Sequence, residues 1–151
     1  MFGWLIRKKR FTLRMTLAGF QRWTWLVKQS GLPFEQERKM MHRVLGFYML
    51  AADWESYPLF VEDAAVDFVR CNLKDYTAKP EDSWVYDLPW EVSRHEWKAW
   101  RSLLAQSGDG DMSVMVDRAL QLYERFVNGR LPTLFTVDRL GDFVEIEYTT
   151  A

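Results

Sequence analysis

Two stretches of the chain, residues 10–50 and 83–128, carry the same succession of patterns. Each opens on a short extended run, continues with apolar residues at helical spacing, stops at glycine and restarts as a longer helical stripe. That order restricts the fold to two strand–helix–helix units around a shared core, because 151 residues suit one domain or two very small ones.

In the first unit, Arg10-Phe-Thr-Leu-Arg-Met-Thr16 alternates polar and large apolar residues, the period of a half-buried strand. Phe20, Trp23, Leu26 and Val27 then recur at helical spacing and stop at Ser30-Gly31, a typical helix end. Pro33 suits the first turn of the next helix. There Met40, Met41, Val44, Leu45, Tyr48 and Met49 form a broad stripe, opposite Glu35, Glu37, Arg38, Lys39 and Arg43. A competing reading joins Leu13, Leu17, Phe20, Trp23 and Val27 into one stripe, which makes residues 12–29 a single helix.

The second unit reads as a strand at Trp84-Val-Tyr-Asp-Leu88, closed by Pro89. A helix through Val92, Trp97, Trp100, Leu103 and Leu104 follows, then the turn Ser107-Gly-Asp-Gly-Asp111. Ser113 suits an N-cap for a helix lined by Val116, Ala119, Leu120, Tyr123 and Val127, which stops at Asn128-Gly129. Between the units, Val61, Ala65, Phe68 and Val69 predict a helix over Val61–Asn72, and residues 74–83 read as a linker. Thr133–Val137 and Phe143–Tyr148 flank the turn Asp138–Asp142 and predict a β-hairpin. The expected fold class is mainly α with short strands: two strand–helix–helix units around a shared core plus a C-terminal β-hairpin. The segments are a basic unit at 1–52, an acidic helix and linker at 53–82, and a second unit with the hairpin at 83–151, together one compact domain.

Charge is divided unevenly. The first 34 residues hold Arg7, Lys8, Lys9, Arg10, Arg14, Arg22 and Lys28 with no acid, so all 21 acids come later and the net charge is −1. Residues 53–91 hold ten acidic residues against the three basic residues Arg70, Lys74 and Lys79, a net charge of −7. A cationic strand that opens a chain suits an anionic partner, nucleic acid above all. The bland alternative is that these cations neutralise the acidic middle, within the fold or across a homodimer.

The first unit resembles the ribbon-helix-helix family of DNA-binding proteins, through Phe11-Thr-Leu-Arg14, the helix that follows, Ser30-Gly31, and a helix rich in Met, Arg and Glu. The second unit is similar through Leu88-Pro-Trp-Glu91 and through Ser113-Val-Met-Val-Asp-Arg-Ala-Leu-Gln-Leu-Tyr123. The resemblance implies an antiparallel two-stranded ribbon, supplied by both units of one chain or by the first units of two chains. It also implies that Arg10, Thr12 and Arg14 face a DNA groove while Phe11, Leu13 and Met15 pack inward. Arg suits guanine, and Thr suits a base edge or the thymine methyl. Arg7, Lys8, Lys9 and Arg22 would then hold phosphates. The second unit departs in its outward row of Ser83, Val85 and Asp87 and in a first helix about a turn longer, and Pro33 removes one backbone donor at a helix start where the family holds phosphate.

Chemistry of other kinds is thinly represented. His42 and His95 each lack a second histidine one helical turn away, so neither forms a helical zinc pair. Asp109-Gly-Asp111 lacks the closing glutamate of a calcium loop, because Leu120 stands in its place. The lone Cys71 permits no intrachain disulfide and fits a reducing compartment. No phosphate-binding glycine loop and no serine elbow occurs. The chain reads as a non-enzymatic cytoplasmic protein without cofactor or metal. No run is long and apolar enough to span a bilayer.

The favoured expectation is therefore a small prokaryotic, phage or plasmid regulator that binds DNA as a homodimer. The alternative is a protein-binding inhibitor, of the immunity, antitoxin or anti-defence kind, that meets a basic partner through Trp54, Glu55, Tyr57, Glu62, Asp63, Trp84, Tyr86, Asp87 and Trp90. Arg94, Lys98 and Arg101 fall on one helix face and suit either a phosphate track or a solvated surface. A weaker expectation is membrane contact through Phe2, Trp4, Leu5 and Ile6.

Overall fold

The computed structural model describes residues 8–31, 37–53, 55–81 and 83–146. The first unit begins with strand β1, Lys8–Thr16, and helix α1, Leu17–Ser30. The Thr16 hydroxyl accepts from the Gly19 amide to start α1, and Gly31 stops it at φ 66°, a left-handed value that glycine adopts without strain. The alternation over residues 10–16 is thus a strand, and the single-helix reading of residues 12–29 does not hold. Helix α2, Glu37–Ala52, follows, and then the short strands β2, Phe60–Glu62, and β3, Phe68–Arg70. A single 3-10 turn, Leu73–Tyr76, leads toward the second unit.

That unit contains β4, Trp84–Ser93; α3, Arg94–Ser107; α4, Met112–Val127; β5, Leu134–Val137; and β6, Phe143–Glu145. Ser93 caps α3 in a full capping box with Glu96, and Gly108 ends it at φ 71°. The α4 start is capped by Asp111 rather than Ser113, since Asp111 Oδ1 accepts from the Ser113 and Val114 amides.

Two further expectations about the fold are corrected. The described residues form four α-helices and six strands in two antiparallel sheets, a mixed α/β fold rather than a mainly α one. The helix expected over Val61–Asn72 is the β2–β3 hairpin. Asp63 closes its loop by accepting from the Ala65 and Asp67 amides, and β2 pairs with β3 from Phe60↔Arg70 to Glu62↔Phe68. The apparent helical spacing arose because this loop sets the two apolar pairs about two helical turns apart.

The duplication runs further than the strand–helix–helix order. Both first helices span 14 residues, so the extra turn expected in the second unit is absent: Val92 belongs to β4 and Ser93 caps the helix; both second helices span 16. Counted from their caps, α1 and α3 share Trp23/Trp100, Leu26/Leu103, Gln29/Gln106 and Ser30/Ser107, each followed by the left-handed glycine. Helices α2 and α4 share Met40/Met115, Arg43/Arg118, Leu45/Leu120 and Tyr48/Tyr123. The hairpins share Leu59/Leu134, Phe60/Phe135, Asp63/Asp138, Asp67/Asp142, Phe68/Phe143 and Val69/Val144. Their loops repeat bond for bond: Asp138 Oδ1 accepts from Leu140 and Asp142 as Asp63 Oδ1 does from Ala65 and Asp67. The Cys71 amide donates to the Leu59 carbonyl, as Ile146 does to Leu134, at 2.8 Å in each case.

Pairing relates the halves by an approximate two-fold axis. In the ribbon, β1 runs antiparallel to β4 with Thr12 opposite Pro89, and each of these stands at the same distance before its helix cap. In the second sheet, ordered β3-β2-β5-β6, Phe60 lies opposite its own counterpart Phe135. The phenylalanine rings obey the same relation. Phe60–Phe143 and Phe68–Phe135 meet edge to face at 5.1 and 4.9 Å, and the counterparts Phe68 and Phe143 stack at 3.9 Å.

Between the sheets lies one core. It takes Leu13 and Met15 from β1, Trp90 and Val92 from β4, and the facing stripes of α2 and α4, with Met41, Val44, Phe47, Tyr48, Met115, Leu120 and Leu122 all at 0% exposure. Each such side chain contributes about 1.5–3 kcal/mol by leaving water. The ribbon is therefore held from below by the packing that holds the helices, and one chain supplies both of its strands.

Candidate nucleic-acid interface

The outward row of β1 is Lys8, Arg10, Thr12 and Arg14, all exposed, while Leu13 and Met15 are buried and Phe11 half-buried. The row facing them across β4 is Ser93, Glu91, Pro89 and Asp87. Glu91 takes two of the cations, with Lys8 Nζ at 3.2 Å and Arg10 Nε at 3.0 Å. The Lys8 hydrogen bond, with help from Arg10, holds the Glu91 carboxyl below its ordinary range. Arg14 sits at the other end of the ribbon, 3.2 Å from Asp111 and 4.9 Å above the Trp84 ring. The expected base-reading trio thus shares one surface, but two of its members already have intrachain carboxylates.

The remaining sequence-derived candidates are scattered. Arg22 lies on α1 and pairs with Glu124 of α4, so it belongs to a helix–helix contact, not to the ribbon face. Arg7 lies outside the described residues, as do Phe2, Trp4, Leu5 and Ile6. Of the protein-binding set, Trp54 also lies outside them. Trp90 is 9% exposed and packs edge to face on Trp23, which makes it a core residue. Tyr86 stacks on Phe20 at 4.2 Å. Trp84, Tyr86 and Asp87 belong to the ribbon whereas Glu62 belongs to the other sheet, with Asp63 in its hairpin loop, so the acidic segment does not form one face. Glu55 is exposed and its carbonyl accepts from Arg70, and Tyr57 is exposed.

A basic groove opens where β1 begins and α3 starts. Lys8, Lys9, Arg94, Trp97, Lys98 and Arg101 line about 550 Å³. Arg94, Lys98 and Arg101 recur along one face of α3, and Lys9 sits 5.4 Å over the Trp97 ring. Phe11 holds Trp97 from the core side at 4.8 Å. Among the described residues Lys9, Arg94, Lys98 and Arg101 make no ion pair, and no carboxylate lines the groove. Such a surface suits a row of phosphates, which point charges and guanidinium forks hold without reading sequence.

The duplication supplies a control for this groove. At the other end of the ribbon the counterparts of Lys8, Lys9, Arg94, Trp97, Lys98 and Arg101 are Val85, Tyr86, Leu17, Phe20, Gln21 and Thr24. The same scaffold folds there with no cation at any of the six positions. The five charges are therefore not a requirement of the fold. Arg94, Lys98 and Arg101 share one helix face in the sequence, but their meeting with Lys8 and Lys9 depends on the fold. The common residues of Trp23–Gly31 and Trp100–Gly108 set the register from which the other counterparts, and hence the asymmetry, follow.

Beside the groove, Arg38 of α2 donates to the Glu91 carbonyl, and His42 lies 2.8 Å from Glu96 of α3. Burial pushes the Glu96 carboxyl up, but hydrogen bonds from His42 and from the Ser93 amide and hydroxyl more than offset it, leaving it below its ordinary range. At the far side of α4, Asp109 is fully buried and joins Tyr48 at 2.6 Å, Arg118 at 2.9 Å and Lys74 at 3.6 Å. Burial first, and the Asp109 carboxylate second, push the Tyr48 hydroxyl far above its ordinary range. The Ser107–Asp111 turn is thus a structural lock. Among the described residues no cluster of histidine, cysteine and carboxylates could hold a metal ion, and no helix is long and apolar enough to cross a membrane.

Comparison with family models, with curated proteins and with solved structures finds no match for this chain.

Proposed function

We propose that this protein is a DNA-binding protein of ribbon-helix-helix type in which one chain supplies both strands of the ribbon, and that the groove between β1 and α3 holds the phosphate backbone. The observation that carries the reading is the groove itself: five cations around Trp97 with no lining carboxylate, on a frame whose other copy does without them. Lys8, Lys9 and Arg10 lead from it onto the outward face of the ribbon, and Thr12 stands at the centre of that face. Glu91 holds Lys8 and Arg10 in place, so phosphate contact falls chiefly to Lys9, Arg94, Lys98 and Arg101. On this reading three of those four residues, Arg94, Lys98 and Arg101, belong to α3, a helix outside the basic N-terminal segment.

The test is a fluorescence-anisotropy titration of a labelled 24-base-pair duplex at several salt concentrations. Contacts from four or five cations give a log–log salt slope of roughly −4, a loss of a few hundred-fold between 50 and 200 mM salt. Lys98→Gln with Arg101→Thr lowers that slope by about two, close to one unit for each phosphate contact removed. Binding that ignores salt, or a slope unchanged by the pair, refutes the reading.

A further inference from the structure

Resting on that reading, we propose that the duplex is held at one end of the ribbon only, so that a single chain occupies an asymmetric, non-palindromic site. Ribbons built from two identical strands present the same face at both ends, and such symmetry matches palindromic DNA. Here the frame keeps the two-fold axis through Thr12 and Pro89, but the outward row has lost it completely. Lys8 has Val85 as its counterpart, Arg10 has Asp87, and Arg14 has Glu91.

The two ends consequently differ in sign and in access. At the Lys8 end stand Lys8, Lys9, Arg10, Arg94, Lys98 and Arg101 against the single ribbon carboxylate Glu91. At the Arg14 end, Asp87 lies across from Arg14 and Asp111 binds it, while Val85 and Leu17 are 62% and 51% exposed. Asp111 also fills the start of α4 from within the chain, since its Oδ1 accepts both the Ser113 and the Val114 amides. A phosphate approaching that end meets a carboxylate already seated on the donors it would need. Repulsion from Asp87 and Asp111 and attraction at the groove act together to orient the duplex.

Tethered cleavage tests this directly. Iron–EDTA is attached to a single cysteine in a Cys71→Ala background, at His95→Cys beside the groove or at its counterpart Ala18→Cys at the other end. Both positions are exposed and neither lines the basic groove. One-ended binding gives at least tenfold stronger cleavage of the 24-base-pair duplex from position 95 than from position 18. Sedimentation of the complex gives the mass of one chain per duplex. Equal cleavage from both positions, or two chains per site, overturns the inference while leaving salt-dependent DNA binding intact. A duplex that neither variant nor the unsubstituted chain binds refutes the proposed function as well.

Discussion

Replacing Asp109 by Asn tests whether the Ser107–Asp111 turn is the lock that joins α4 to α2 and to the 3-10 turn. The Asp109 side chain has 0% exposure, and its partners Arg118 and Lys74 are only 12% and 19% exposed. Asparagine keeps the volume, so no cavity forms and the loss is electrostatic. Removing one member of a buried pair and leaving the other charged costs about 3–5 kcal/mol. The lower part of that range applies here. Arg118 retains hydrogen bonds to Thr77 and to the Lys74 carbonyl, and Lys74 retains the Ser107 carbonyl. A loss of about 3 kcal/mol corresponds to a fall in Tm of roughly 6–12 °C for a domain of this size. Urea unfolding followed by circular dichroism measures it. Tyr48→Phe, which removes only the 2.6 Å bond to Asp109, costs about 1.5–3 kcal/mol, and the double variant costs less than the two losses added. A loss below 1 kcal/mol for Asp109→Asn, or strict additivity, refutes the lock.

Three further outcomes follow from the geometry. Gly19→Ala, which on an open helix face would stabilise, places a Cβ 2.7 Å from the buried Asp117 carboxylate and destabilises by about 1–3 kcal/mol in thermal unfolding; in an Asp117→Ala background, where that carboxylate is gone, the same change costs much less. Val66 stands at φ 66° where its counterpart Gly141 stands at φ 84°, so Val66→Gly stabilises by about 0.5–1 kcal/mol, and a drop in Tm contradicts the assignment of strain there. The lowered Glu96 carboxyl stabilises the fold fully above its ordinary value, and that contribution disappears as pH falls from about 4.5 through the lowered pKa. Glu96→Gln therefore flattens the acid side of the stability profile, and an identical acid limb in both proteins shows that the His42 contact contributes nothing.

The sequence made some of this architecture legible and hid the rest for definable reasons. The ribbon strand at residues 10–16, the glycine helix ends and the C-terminal hairpin follow from local periodicity, and each is present. The strand expected over Trp84–Leu88 runs on to Ser93, past Pro89, a residue that ordinarily closes a strand. Pro89 sits at an outward position opposite Thr12, where a missing amide is tolerated in a two-stranded ribbon. The β2–β3 hairpin was hidden because its strands have three residues each and its loop carries Val66 where a turn usually signals glycine. Its relation to β5–β6 is written in the repeated Leu-Phe and Asp-Phe-Val residues, but only a comparison of the chain with itself reveals it. The site was legible in part: charge pointed to the N-terminal strand, whereas the groove needs α3 folded against β1, a long-range juxtaposition no local pattern encodes. The pairing of Arg10 with Glu91 likewise depends on the ribbon register.

Amide chemical-shift mapping of the 15N-labelled protein, titrated with the 24-base-pair duplex at low salt, locates the DNA on the ribbon. One-ended binding perturbs amides clustered at residues 8–12 and 94–101 and leaves the counterparts at 17–24 and 85–86 in place. Perturbations confined to the hairpins at 60–70 and 134–145, equal perturbation of both ribbon ends, or an unchanged spectrum would contradict it.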